Sequence, residues 1–208
     1  DVAEAQDAAF DQAREKGQLA EHGLQRANAS LAALEEAARA LAAPTDVEVA
    51  QRTVLQSLGR HLLFDRAALF LLDEGRQVLV GAASFGVSPD TTARMKKHEE
   101  PAAPEKSELA KAMRGEAPVV LADEPIRSTS LGAFWLTLST RELLAAPLLH
   151  RGRPVGLLLA DNSVTGRPFA EEDKNLLASI ASLLATGAEN LKREKNEREK
   201  TSPRRMVE

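Results

Sequence analysis

Cysteine and tyrosine are absent from the 208-residue sequence, and tryptophan occurs once. The lack of cysteine removes disulfides, thiolate metal sites, cysteine nucleophiles and thioether-linked cofactors together. It fits a cytoplasmic location. Aromatic residues make up 3% of the chain and hydrophobic residues 43%, so the core must be aliphatic. Charge of neither sign dominates: 27 basic and 31 acidic residues leave −4. That balance argues against a nucleic-acid-binding domain, which needs a positive surface to neutralise phosphates. No apolar run reaches the ~18 residues of a membrane-spanning helix, and no secretory signal is read. The twelve glycines form no G-x-x-x-x-G-K-[ST] phosphate loop and no convincing G-x-G-x-x-G. HExxH and calcium-loop patterns are missing as well. His22, His61, His98 and His150 sit in no nucleophile motif. No catalytic residue, metal site or cofactor is expected, and the segment is read as non-enzymatic.

The chain does carry a long periodic helix. Phe10, Ala13, Gly17, Ala20, Leu24, Ala27, Leu31, Leu34, Ala38 and Leu41 follow one another at alternating steps of three and four. This is an a/d heptad seam, and it predicts one helix over 1–43, roughly 60 Å long. A helix so thin needs a partner. The seam reads as a two-chain coiled coil; the alternative is an amphipathic helix packed on its own domain. Pro44 ends it, and Asp46 caps a second helix over 46–63 with Val47, Val54, Leu55, Leu58 and Leu62 on one face.

The period then changes from 3.6 to 2. Residues 67–72 and 77–84 read as a hairpin turning at 73–76, with Gly75 expected to supply a positive φ. Residues 143–149 and 155–161 read as a second hairpin turning at His150–Arg153. The second strand of that pair is apolar on both faces and should be central. Pro147 cannot donate to a ladder and suggests a bulge or a locally unpaired position there. Between the hairpins lie an irregular proline-rich stretch (86–104), a short helix over 107–114 capped by Ser107, a short strand over 118–123, and a long connection over 124–141. A last helix starts near Ala170 with acids in its first turn and continues into a charged run, 192–200.

The long connection holds the only aromatic pair, Phe134-Trp135. Trp135 either roofs a small-molecule pocket or plugs the core beneath its own loop. Arg127 and Arg141 flank that connection, as anion ligands or as solvated surface residues. Asp123, Glu124 and Asp161 at strand ends read as turn and cap residues.

The order helix, hairpin, irregular segment, strand, hairpin, long helix resembles a GAF domain. The most specific stretch is Pro147, Leu148, Gly152, Gly156 and Leu158, followed by Phe169-x-x-x-Asp173 opening the last helix. The resemblance covers 46–190, between a signalling helix (1–43) and a charged linker helix and tail (191–208). It implies an α+β fold: a central antiparallel β-sheet with helices packed on one face, flanked by long N- and C-terminal coiled-coil helices. It implies a small-molecule cavity on the opposite face, for which Phe85, Arg127, Phe134, Trp135, Thr137 and Arg141 are candidate ligand-binding residues. A parallel homodimer is expected through Phe10, Gly17, Leu24, Leu31, Leu34, Leu41, Leu184 and Leu191. Cyclic-nucleotide-binding members carry Asn-Lys before the Phe-x-x-x-Asp-Glu motif. Here Asn162 precedes Ser163 and Asp173 precedes Lys174, so half that pattern is present. Bilin attachment and methionine sulfoxide reduction both need cysteine and are excluded. The resemblance therefore implies a regulatory sensor or dimerisation module in a longer bacterial signalling protein. Ser202-Pro203 followed by Met206-Val207-Glu208 resembles the segment preceding class III nucleotide cyclases. A histidine kinase or an AAA+ transcription activator is the alternative output, and a ligand-free scaffold the alternative role.

Overall fold

The computed structural model describes residues 2–42, 46–61, 63–127, 129–130, 135 and 138–201, with side chains from residue 12 to residue 190. Phe134 and Thr137 lie outside the described residues, as do the side chains of Phe10 and Leu191 and the whole of 202–208.

Helix α1 (Val2–Ala42) is followed by α2 (Val47–Arg60), β1 (Arg66–Asp73), β2 (Val78–Phe85), α3 (Pro89–Lys97) and β3 (Glu99–Pro101). Then come α4 (Glu108–Met113), β4 (Val119–Leu121), α5 (Asp123–Arg127), β5 (Leu143–His150), β6 (Arg153–Asp161) and α6 (Glu171–Thr201). The caps follow the sequence. Asp46 accepts from the Glu48 and Val49 amides, and Ser107 from those of Leu109 and Ala110. The stretch over 86–104 is more regular than expected. Ser88 caps α3 and Pro89 stands in its first turn, a start signal written in the Ser-Pro pair.

The six strands form one sheet in the order β3-β2-β1-β6-β5-β4, with every neighbouring pair antiparallel. As the doubly apolar pattern predicts, β6 is central. The second hairpin turns on Arg151 and Gly152, with φ of 52° and 76°, the left-handed pair that a two-residue connection needs. The first hairpin departs from expectation: Gln77, not Gly75, takes the positive φ, at 54°. Of the two readings of Pro147, the structure favours the unpaired position over a bulge at the proline itself. On its inner side the proline pairs in register with Leu157, and the irregularity falls one step later, between Leu148 and Leu149. The short β4 covers only Leu143–Ala145, so β5 has no outer strand at Pro147 to need its missing N–H.

Both faces of the sheet carry helices, which corrects the expectation of one helical face. On the first face, α2 and α6 cover the sheet, and α1 rests on these two helices. Ala33, Ala37, Leu55, Leu58, Leu177 and Ile180 belong to the cluster buried there. On the second face, Met95 of α3, Leu109 and Met113 of α4, and Ile126 of α5 gather over Phe70, Leu157 and Leu159.

Arg26 of α1 meets Asp173 of α6. Fourteen residues further along α6, a Cβ placed on Gly187 would lie 3.0 Å from Leu41 of α1. The two helices therefore run side by side in the same direction. Every described α1 residue from 12 to 25 is exposed, so this part of α1 stands clear of the domain at one end. Beyond Gly187, α6 continues to Thr201 at the other.

Candidate functional site

On the second face, Trp135 is buried, 3% exposed. It lies with Arg66, Ala68, Ser84, Met95 and Leu159 around an internal cavity of about 10 Å³. That is about the least that accommodates a single water. Trp135 therefore fills the space beneath the long connection, and Leu138 packs against the same cluster.

A buried polar network holds this plug. Arg66 opens β1 and Asp161 closes β6, and the ladder places them directly opposite. The Arg66 guanidinium donates through Nε to Asp161 Oδ1 at 2.9 Å, and its Nη2 lies 2.8 Å from Oδ2. This two-toothed pairing has the geometry of a strong charge-assisted bond. Nη1 donates to the Leu138 carbonyl at 2.8 Å and Nη2 to Thr140 Oγ1 at 3.2 Å. Thr140 in turn donates to Asp161 Oδ2 at 3.0 Å. The amides of Leu138 and Thr140 both donate to the Trp135 carbonyl at 3.1 Å. The sheet's buried ion pair thus reaches Trp135 through two backbone steps. The sequence carried a signal for it. Each of these residues stands at one end of an apolar run in its strand, and antiparallel pairing brings the two strand ends together.

A second buried carboxylate stands where α6 begins. Asp173, with 1% of its side chain exposed, accepts from Arg167 Nη1 and from the Ala170 amide, each at 2.8 Å. Burial opposes its ionisation. The bonds from Arg167 and Ala170, with the charges of Arg167 and Arg26, prevail and hold its pKa below the ordinary aspartate range.

The four described candidate ligand residues do not converge. Trp135 occupies the cavity. Phe85 lies on the helical side, where a Cβ on Gly59 of α2 would come within 1.7 Å of its ring; only glycine leaves room for it there. This places Phe85 away from the cavity, because side chains alternate between faces and sequence order alone did not fix which face is which. Arg127 is exposed and bound two-toothed to Asp123, one turn back, at 2.9 and 2.8 Å. Arg141 is exposed and lines a separate open cleft of about 730 Å³ with Asn162, Ser163 and Arg167. Among the described residues no group of three or more His, Asp or Glu is arranged to hold a metal ion. No helix there is long and apolar enough to cross a membrane.

The candidate dimer residues divide in two. Leu184 is buried, 2% exposed, while Leu34 and Leu41 pack against the same core. Gly17, Leu24 and Leu31 remain exposed, Leu24 by 63% and Leu31 by 57%.

The family model of the GAF domain matches residues 46–187. No curated protein matches the chain. Solved structures do. The GAF domain of a phosphoenolpyruvate-protein phosphotransferase from Coxiella burnetii aligns with a TM-score of 0.68 at 20% identity, over 80% of this chain and 96% of its own. The GAF domain of a putative sensor histidine kinase from Pseudomonas syringae pv. tomato gives 0.58 at 20% identity, over 86% and 99%. The nlh2 GAF domain of A. aeolicus, in an inactive state, gives 0.61 at 14% identity, over 80% and 99%. These likenesses show the fold, and the family match across the sheet and its helices shows that the chain belongs to the GAF domain family.

Proposed function

We propose that this GAF domain is a regulatory module that relays a conformational signal from α1 to α6, and through α6 to an output domain, as a parallel homodimer. The observation that carries this reading is the arrangement of the two helices. They share a direction over the domain and leave it at opposite ends, and α1 keeps a seam of Ala13, Gly17, Ala20, Leu24, Ala27 and Leu31 exposed. A freestanding helix of this composition gains most of its stability from packing, and a second copy supplies a matching seam. The resemblance of 202–208 favours a class III nucleotide cyclase as the output.

Size-exclusion chromatography with light scattering tests the dimer. The full chain is expected to run as a dimer at micromolar concentration and Leu31→Glu as a monomer. A wild-type monomer at high micromolar concentration overturns the reading.

The filled cavity supports a second reading, a dimerisation scaffold that senses no ligand. Trp135 is the only tryptophan, so its emission reports the cavity directly. A thermal-shift screen with nucleotides and metabolites separates the two, since a ligand at 100 times its Kd adds about 2.7 kcal/mol. A stabilising ligand that also moves the Trp135 emission supports a sensor. A screen in which nothing does so supports the scaffold.

A further inference from the structure

Arg26 is the first described residue of α1 that is not fully exposed. Its guanidinium donates to Asp173 Oδ1 in the first turn of α6. Arg167 donates to both oxygens of the same carboxylate and also to the Leu63 carbonyl. Three parts of the chain therefore meet on one buried carboxylate, the incoming helix, the loop between β6 and α6, and α6 itself, and Arg167 ties in the segment after α2. Elsewhere α1 meets α6 through apolar contact such as Leu41 beside Gly187, which buries area but has no direction. Its other polar ties run to α2, where Glu36 pairs with Arg60 and the Ala33 carbonyl accepts from Ser57 Oγ. Among the described residues, Arg26–Asp173 is the one ion pair between α1 and α6.

We propose that Asp173 is the pin that sets the axial register of α1 against α6, with Arg26 as the positioning residue that reads the movement of α1. The proposal rests on the relay described above and names its coupling point. Sliding α1 by one helical turn, about 5.4 Å, takes Arg26 off the carboxylate. Asp173 then stays buried with Arg167 and the Ala170 amide but without its second cation, a less favourable arrangement because buried charges need their partners. The helix pair thus has a favoured register, and departure from it is felt at once by the loop over 163–169 and by the start of α6. The same loop lines the open cleft beside Arg141, so its state is visible from the surface.

Hydrogen exchange on the full chain tests this. In Arg26→Ala, amides of α1 over 26–37 are expected to exchange roughly ten-fold faster, and those over 163–175 several-fold faster, with β1 and β6 unchanged. Arg26→Lys keeps the charge and should restore most of the protection over 163–175. Faster exchange confined to α1, or none, overturns the proposal, because a local packing role leaves 163–175 untouched. Asp173→Asn should loosen both segments together. Should that variant fail to fold, Arg26→Ala decides alone, since Arg26 is 35% exposed and removable without opening the core. Exchange is read within one chain, so a dimer without coupling overturns the pin and leaves the dimer reading standing.

Discussion

The two faces of the sheet are built by different means. The first is covered by long helices whose leucines and alanines repeat at helical spacing, so each turn adds a contact. The second is assembled from α3, α4 and α5, none longer than the nine residues of α3, together with Trp135. Short helices contribute little stability of their own, so this face depends on a few anchors, chiefly Arg66, Asp161 and the single indole. Both faces are buried apolar clusters, and the second is expected to yield before the first.

Removing the anchor should test this contrast most severely. Arg66→Ala leaves Asp161 buried beside the cavity without its cation, and is expected to cost about 3–5 kcal/mol in urea unfolding. Before the unfolding transition, Trp135 emission should already be red-shifted, because Leu138 and Thr140 have lost their tether. A paired comparison should come next. Leu58→Ala on the helical face is expected to cost about 3 kcal/mol, since the rigid helix packing cannot close the hole. Trp135→Ala removes a larger side chain yet should cost no more, about 3 kcal/mol, the second face collapsing in part, and added indole should restore stability. A larger loss for Trp135→Ala than for Leu58→Ala would show that the faces are equivalent cores.

The smallest effect expected is with pH. The pKa of Asp173 is depressed in the folded chain, so its contribution is complete above the unfolded value of about 3.9. It is lost as pH falls below that value. Wild type should lose stability on acidification below about pH 4 more steeply than Asp173→Asn, as followed by circular dichroism.

Much of this was legible in the sequence. The change of period at residue 67, the His150–Arg153 turn, the caps at Asp46 and Ser107, and the acids opening α6 all act locally, so a short window contains their cause. The errors arose where a partner decides. The heptad spacing of Leu34 and Leu41 is equally suited to a second chain and to α2 and α6, and these two residues found the latter. Arg127 was left open between an anion ligand and a surface residue because its own carboxylate, Asp123, sits one turn away on a helix too short to recognise. Gln77 took the left-handed turn position in place of Gly75 because the first hairpin closes one residue later than its glycine suggested. The Arg66–Asp161 and Arg26–Asp173 pairs join residues far apart in the chain, and no local pattern states such distances.

Because α1 and α6 overlap side by side and point the same way, the domain splices two rods without reversing their heading. Whatever is fused beyond α6 therefore inherits the angular phase of that helix. One residue inserted after 191 would turn the downstream part by about 100° and advance it by about 1.5 Å. Under the proposed relay, the length of this connector, counted in residues modulo a heptad, matters as much as any side chain.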